Sequence, residues 1–183
     1  EDDGSGESCL DKFKARLVYQ GNMALQFLDW MKSHSPAMLL DTFKIMMALM
    51  TIFDMWAFCG DFVAAFLQAA LKERHLHGMF PKGFKKDING EEQCVHFKKN
   101  IYGMIQAARN FFNLLKDWFM DSKSSCPFKF EQLGSDQCVF FCWVAGNFMI
   151  VMIYVDDLIC CLKIFRIVAK ILWLFLQFRY EHL

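Results

Sequence analysis

The sequence predicts an α+β fold, in one domain or in a compact core with a small satellite. Its 183 residues, 55% of them apolar and 22% charged, can bury a sizeable core and are not typical of a disordered tail. Segments with helical periodicity alternate irregularly with β-rich segments, which favours α+β layers over a regular doubly wound sheet. An uncharged stretch at 138–155 carries a turn signal at its centre, which indicates a buried β-hairpin.

The first half of the chain is predicted to hold a tail, a strand and two helices. Residues 1–11 contain five acidic residues and no basic one, so we expect a flexible acidic tail or linker ahead of a core at 12–183. Alternating apolar residues predict the strand, and helical patterns predict the helices. The predicted elements are, in order, a strand at 13–19, a helix from 35–36 to about 53 and, after a break at 59–60, a helix at 62–71.

The second half is predicted to hold short strands, a strongly amphipathic helix and the hairpin. Phe111, Leu114, Leu115 and Trp118 recur at helical spacing, which predicts one apolar helix face. The predicted elements are a loop or short hairpin at 78–92, a strand at 94–97, a helix at 107–121, the hairpin at 138–155 and an apolar helix at 164–178.

The uncharged stretch also tests whether the chain spans a membrane. Its 18 residues are about the minimum for a spanning helix. However, Ala145-Gly146-Asn147 is a turn signal, both halves are rich in β-branched and aromatic residues, and two carboxylates follow directly. A hairpin is therefore favoured, and we expect no membrane partner. A small membrane protein built on 138–178 is the less favoured alternative.

Charge and cysteine usage restrict the partners and the compartment. Twenty basic and twenty acidic residues cancel, but 72–129 holds eleven basic against six acidic residues, so a polyanionic partner is not excluded. The eight cysteines include no Cys-x-x-Cys pair, and the histidines lack zinc-finger spacing to them. The acidic start is unlike a signal peptide. We therefore expect reduced, mostly buried thiols in an intracellular protein.

The tetrapeptide Tyr154-Val155-Asp156-Asp157 is the most informative motif. Adjacent carboxylates at the end of an apolar strand are costly to desolvate, and a divalent cation would remove that cost. Mg²⁺ prefers carboxylate oxygens and water, so the doublet suggests a magnesium site. Asp is also a favoured N-cap residue, so capping of a following helix is an equal alternative.

A third carboxylate favours the metal interpretation. Asp61 lies between apolar 56–59 and Phe62-Val63, the context of a strand end that faces a site, although alone it too could be an N-cap. Three carboxylates on two strand ends suit a two-metal phosphoryl-transfer centre, in which two ions roughly 4 Å apart contact the attacking and leaving oxygens.

Motifs in order along about 12–162 resemble the reverse transcriptase of copia-type long-terminal-repeat retrotransposons. Asp61-Phe62-Val63-Ala64-Ala65-Phe66-Leu67 is similar to the family's D-V-K-T-A-F-L, and the segment from 154 to 158 matches Y-V-D-D-L. The other matches are 13–18 to Y-K-A-R-L-V, Ser35-Pro36 to S-P-V, 81–84 to P-E-G-F, 101–111 to L-Y-G-L-K-Q-A-P-R-N-W, and Asp136 with 138–140 to D-x-C-x-F.

The resemblance implies a palm-and-fingers polymerase core whose antiparallel palm sheet is backed by helices. It implies two Mg²⁺ ions, with Mn²⁺ as a possible substitute, and as partners a dNTP, an RNA or DNA template with its primer, and downstream polyprotein regions (connection and ribonuclease H). The implied catalytic residues and metal ligands are Asp61, Asp156 and Asp157, with the Phe62 carbonyl as a further ligand. The implied nucleotide-binding residues are Phe66, Lys14, Arg16, Tyr102 and Gly103, and the implied nucleic-acid contacts are Arg109, Lys98, Lys99 and Tyr154.

Most of these residues also have an ordinary structural interpretation. Phe66 could be a core residue, Lys14 and Arg16 could be solvated charges on a surface strand, and Arg109 could hold a backbone group or a phosphate, or be solvated on its helix. The family's Lys and Pro in L-K-Q-A-P-R are here Ile105 and Ala108.

Two functions therefore stay open. The first is an RNA-directed DNA polymerase that transfers a nucleotide from a dNTP to a primer 3′-hydroxyl. The alternative is a diverged, non-catalytic relic that keeps the fold as a nucleic-acid-binding or assembly module. We expect a C-terminally truncated core without thumb or ribonuclease H parts, in the cytoplasm (in a virus-like particle) or in the nucleus.

Overall fold

A five-stranded antiparallel sheet is the largest element of the computed structural model, which describes residues 15–26, 30, 32–72, 76–81, 83–84, 87–89, 91–144 and 146–163. Its strands are Trp56–Asp61 (β1), Glu131–Gln132 (β6), Val139–Val144 (β7), Asn147–Tyr154 (β8) and Asp157–Leu162 (β9). They lie in the order β1-β9-β8-β7-β6.

Four shorter strands form two small antiparallel pairs. They are His77–Met79 (β2), Asp87–Ile88 (β3), Glu91–Glu92 (β4) and Cys94–His96 (β5), with β2 paired to β5 and β3 to β4. The helices are Leu40–Ile52 (α1), Ala65–Gln68 (α2) and Ala107–Met120 (α3). The mixture of helices and antiparallel sheets confirms the predicted α+β class.

The large sheet is covered on both faces. Alternate residues of a strand point to opposite faces, so Val151 packs in the cluster that holds Phe111 and Leu115 of α3, whereas Met152 packs in the cluster that holds Met50 of α1. β8 is therefore apolar without alternation, and its residues 149–153 are all buried. This double cover explains why the uncharged stretch is apolar along its length.

The hairpin, the strand at 94–97 and the helix at 107–121 are confirmed, as β7–β8, β5 and α3. A short hairpin within 78–92 is confirmed by β3 and β4. No helix among the described residues is long and apolar enough to cross a membrane. The predicted tail at 1–11 and helix at 164–178 lie outside the described residues.

The break predicted at 59–60 is wrong, because Cys59 and Gly60 pair with β9 inside β1. Two predicted elements and the start of a third also differ from the structure, because tertiary hydrogen bonds override local propensity. Residues 15–20 form no strand, and 13–14 are not described; the Tyr19 amide donates to the Tyr102 carbonyl instead of a sheet neighbour. The first long helix begins at Leu40, because the amide of Leu39 donates to the buried Asp136 carboxylate at 2.9 Å.

The helix predicted at 62–71 is only the four residues of α2. The Phe62 amide donates to the Asp156 carbonyl, and Ala64 has φ +54°, so the chain is not helical before Ala65. After Gln68 the backbone pairs with 98–100. Neither Asp61 nor the doublet is a helix cap, since α2 follows Ala64 and Asp157 begins a strand.

Candidate active site

Strand pairing brings the three predicted carboxylate residues to one end of the sheet. Asp61 is the last residue of β1, Asp157 is the first of β9, and the two are direct partners across the antiparallel ladder. The amide of Phe62 donates a 3.0 Å hydrogen bond to the carbonyl of Asp156, which extends the pairing by one residue. Directly opposed Cα atoms are about 4.5–5.5 Å apart, so the backbone places all three residues together.

The turn between β8 and β9 holds Asp156 in an unusual backbone setting. Tyr154 and Asp157 are paired on either side of a two-residue turn formed by Val155 and Asp156. Val155 has φ +59°, a left-handed conformation that β-branched residues rarely adopt and that the tightest hairpin turns require at such a position. Such strain persists only where the surroundings enforce it, and here two paired strands do so.

The carboxylates supply a donor set that suits a hard cation. Asp61 and Asp157 are exposed and Asp156 is half-buried, and no ion pair within the described ranges includes any of them. Oxygen donors without a cationic partner fit Mg²⁺. The structure does not show a formed metal site, because no three acidic, histidine or cysteine side chains of the described residues are arranged to hold an ion.

Three predicted nucleotide-binding residues, here called the Tyr102 cluster, contact one another beside the carboxylates. The Arg16 guanidinium carbon lies 5.1 Å from the centroid of the Tyr102 ring, and the Phe66 and Tyr102 centroids are 4.8 Å apart. Burial raises the pKa of Tyr102, and the negative charges of Asp156 and Asp61 raise it further while Arg16 opposes them. The Tyr102 phenol is therefore close enough to both carboxylates and to the guanidinium to interact with them electrostatically.

Gly103 fixes the loop that carries Tyr102. Its φ is +88°, and a Cβ built there would lie well inside contact distance of the Tyr19 carbonyl oxygen. The Tyr19 amide in turn donates to the Tyr102 carbonyl at 2.8 Å. Glycine is required here both for the backbone conformation and for the close approach of residue 19.

The remaining predicted contacts are more dispersed. Arg109 donates to the His34 carbonyl at 2.9 Å, so in this structure it holds a backbone group. Lys98 is exposed, Lys99 is half-buried in a bridge to Ala70, and Tyr154 is 52% exposed at the end of β8. Lys14 lies outside the described residues.

Sequence reasoning missed three buried amides next to the Tyr102 cluster. Gln68, Asn100 and Asn110 are 4%, 0% and 7% exposed and hydrogen-bond to the segments that carry Phe66 and Tyr102. The available signal for Gln68 and Asn110 was an amide side chain within a helical pattern, whereas Asn100 has no local signal because its partners lie 10 to 31 positions away.

Comparison with known proteins agrees with the motifs. The family model for reverse transcriptase (RNA-dependent DNA polymerase) matches residues 5–175. The Retrovirus-related Pol polyprotein from transposon TNT 1-94 of Nicotiana tabacum is 29% identical over 168 residues, which are 91% of this chain and 12% of that protein. The corresponding polyprotein from transposon RE2 of Arabidopsis thaliana is 25% identical over 156 residues, which are 85% of this chain and 10% of that protein.

The chain thus spans about a tenth of the length of these curated relatives. No solved structure matches it. The family match nevertheless covers both strand ends that carry the carboxylates and the loop that carries Tyr102. The chain therefore belongs to the reverse transcriptase family of transposon Pol polyproteins, which confirms the copia-type resemblance of its motifs.

Proposed function

We propose that the chain is the palm-and-fingers core of an RNA-directed DNA polymerase. The observation that carries the proposal is the register of β1 and β9, which sets Asp61 opposite Asp157 and bonds Phe62 to Asp156. In a reverse transcriptase family member, carboxylates at one sheet end are suited to nucleotidyl transfer. The large sheet with α1 and α3 would be the palm, and the small strand pairs would belong to the fingers.

The acidic residues would hold two Mg²⁺ ions, with Mn²⁺ as a possible substitute. Asp61 and Asp156 would be the shared ligands, with Asp157 and the carbonyl of Phe62 as further oxygens. When bound, the ions supply charge stabilisation at the reacting phosphate and lower the pKa of the primer hydroxyl. The protein's own contribution is to keep these oxygens on two hydrogen-bonded strands, so that little reorganisation is needed.

The Tyr102 cluster would bind the incoming deoxynucleotide. Phe66 is half-buried and contacts Tyr102, so its ring offers a rigid apolar surface on which a sugar without a 2′-hydroxyl can lie. Arg16 lies over the Tyr102 ring in a cation–π contact, and a guanidinium in this place suits a triphosphate. We assign Lys14 to the triphosphate as well, and Gly103 to the close backbone approach beneath the templating pair.

Primer and template would be bound chiefly through phosphate contacts. Lys98 is exposed two residues after β5. We assign Lys98, Lys99, Arg109 and Tyr154 to contacts with the primer and the template. Because the chain spans about a tenth of its relatives, further contacts would come from downstream connection and ribonuclease H regions of a polyprotein.

Replacing Asp156 by Asn tests the proposal. The variant keeps the side-chain size but loses the charge, so Mg²⁺-dependent extension should fall by about 10³-fold or more, as when one member of a cooperating catalytic set is removed. The melting temperature should change little, because Asp156 has no ion-pair partner within the described residues.

Asp54→Asn is the matched control. Asp54 is exposed near the opposite end of β1 and has φ +50°, a conformation that Asn tolerates well. This variant should extend primers like the wild type. Full activity of Asp156→Asn would refute the two-metal assignment.

The alternative is a non-catalytic relic that binds nucleic acid or assembles with other regions. It is favoured by apolar Val63, Ile105 and Ala108 at positions that are polar or proline in the family. A wild-type chain that binds primer–template but extends it with neither Mg²⁺ nor Mn²⁺ would establish this alternative.

A further inference from the structure

The helix that carries Phe66 is too short to hold its own position. α2 has four residues, its N-cap residue Ala64 is left-handed, and no side chain caps its first turn. Isolated helices below about 12 residues are marginal in water, because nucleation is costly and few hydrogen bonds repay it. The place of the Phe66 ring must therefore be set by neighbours of α2.

Two buried amides bind the chain on either side of this helix. At its N-terminal end, Gln68 Nε2 donates to the Val63 carbonyl at 2.9 Å. At its C-terminal end, Asn100 Nδ2 donates to the carbonyls of Ala69 at 2.9 Å and Ala70 at 3.1 Å. The short helix is thus bracketed by side-chain hydrogen bonds.

Asn100 is itself oriented by the long helix α3. Its Oδ1 accepts a 3.0 Å hydrogen bond from Asn110 Nδ2, and it is fully buried. All hydrogen-bonding groups of the Asn100 amide are therefore directed, two toward the end of α2 and one toward α3. In such a buried site a mispaired amide is costly, which makes the arrangement specific.

The same residue lies two positions before Tyr102 in the chain. Its side chain bonds the segment that follows Phe66, while its backbone continues into the loop that carries Tyr102, and the two rings are 4.8 Å apart. Backbone pairing of 69–71 with 98–100 also joins these segments. Backbone pairing alone does not fix these two segments relative to α3. The hydrogen bond from Asn110 to Asn100 does so.

We propose that Asn100 is a positioning residue that sets the spacing of Phe66 and Tyr102, and through it the discrimination between deoxynucleotides and ribonucleotides. This inference rests on the proposed function. Asn100 does not touch the nucleotide; it acts through Phe66. Asn110 supports it from α3.

Asn100→Leu is the test variant, because Leu keeps the branching at Cγ and loses all three hydrogen bonds. Discrimination, measured as the ratio of kcat/KM for dNTP over rNTP in single-nucleotide incorporation by residues 1–183, should fall roughly tenfold, at the lower end of what a contact of methylene size contributes. The value of kcat for dNTP should change less than the ratio, since the carboxylates are untouched.

An ultraviolet titration of the Tyr102 phenol gives a readout that needs no activity. Burial is the largest cause of its raised pKa, so a looser Phe66 contact should lower that pKa toward 10.0. Subtracting the same titration of Tyr102→Phe isolates this tyrosine from the others. A wild type without metal-dependent incorporation would overturn the proposed function, whereas the titration would still decide whether Asn100 sets the ring contact.

Ser124→Ala is the control for general destabilisation. Ser124 Oγ donates to the Trp118 carbonyl at 2.6 Å near the far end of α3, so its loss should lower stability without changing discrimination or the titration. If Asn100→Leu does not fold, Asn100→Leu with Asn110→Leu carries the same test, because it no longer leaves the Asn110 amide buried without its partner. Folded variants with wild-type discrimination and wild-type Tyr102 titration would overturn the inference.

Discussion

At the scale of single residues, the Phe66 ring is the feature most open to a selectivity test. It lies between Tyr102, at 4.8 Å, and Phe111 of the core, at 6.4 Å between centroids. Phe66→Val should open space beneath the sugar and raise ribonucleotide incorporation relative to deoxynucleotide by roughly 10²-fold, within the range for a hydrophobic pocket contact. Single-nucleotide incorporation with matched dNTP and rNTP measures the change.

Phe128→Val is the control for that substitution. Phe128 is also a partly buried ring packed against the main core, and it contacts Phe130 at 6.4 Å between ring centroids. Both variants should lose stability, and only Phe66→Val should change the ratio. Equal discrimination between dNTP and rNTP in wild type and Phe66→Val would show that Phe66 is only a core residue.

Gly103 allows backbone strain and steric contact to be separated. Gly103 and Gly83 have nearly the same φ, +88° and +87°, but a Cβ on Gly83 would meet nothing within 4 Å. Both Ala variants should incur the conformational cost of about 1–3 kcal/mol, and Gly103→Ala should lose more because its methyl group meets the Tyr19 carbonyl. Urea unfolding measures the free energy of unfolding of both variants. Equal losses would show that the loop at residue 19 moves away from the methyl group at no cost in free energy.

The predictability of residues depends on how local their signal is. Asp156 and Asp157 are adjacent and follow an apolar strand, so sequence alone marks them. Asn100 is marked by nothing nearby, because its partners lie 30 and 31 positions before it and 10 after it. A residue whose role depends on such distant hydrogen bonds is found only once the fold is known.

The same contrast holds at the scale of elements. α3 was predictable because its buried residues Phe111, Leu115 and Trp118 recur at 3.6-residue spacing. β9 was not predicted, since two aspartates before an apolar run also resemble a helix start. The reduction of α2 to four residues depends on the bond from Phe62 to Asp156, which no local pattern encodes.

The central strands also make stability sensitive to alkaline pH. Burial raises the pKa of Cys142 and of Cys161 from 9.0 to about 12. The folded state therefore favours the protonated thiols, so this contribution is fully present below about pH 9 and is lost as pH rises toward about 12. Each such thiol should lower the free energy of unfolding by up to about 1.4 kcal/mol per pH unit in that window.

Urea unfolding at several pH values from about 8 to about 11 measures this slope. Cys161→Ala removes one buried thiol and should make the slope shallower, whereas Cys94→Ala, on an exposed cysteine of β5, should leave it nearly unchanged. The difference in slope is informative even though Cys161→Ala also leaves a small cavity. Identical slopes in all three proteins would show that the buried thiols do not titrate on unfolding.

At the scale of the whole molecule, apolar surface is abundant and net positive charge is modest. Large apolar side chains such as Ile52, Trp56 and Trp143 are 72%, 58% and 70% exposed. These side chains place apolar surface at the opposite end of the sheet from the carboxylates, and the apolar helix predicted at 164–178 lies outside the described residues. Formal charges sum to zero, with an excess of five basic residues in 72–129.

This balance predicts weak, salt-sensitive binding of primer–template by residues 1–183. Few phosphates can be neutralised by so small an excess, so affinity should fall steeply with salt. Addition of a single nucleotide at low salt should be measurable, whereas extension beyond it should be distributive or undetectable. In fluorescence anisotropy at several salt concentrations, Lys98→Ala should reduce the salt slope by about 1, as for the loss of one phosphate contact. Lys44→Ala should leave the slope unchanged, because Lys44 lies on α1 beside Asp41.

A longer chain that includes the downstream region should bind more tightly and be more soluble. Tight, salt-resistant binding by residues 1–183 alone would show that no further region is needed to hold nucleic acid.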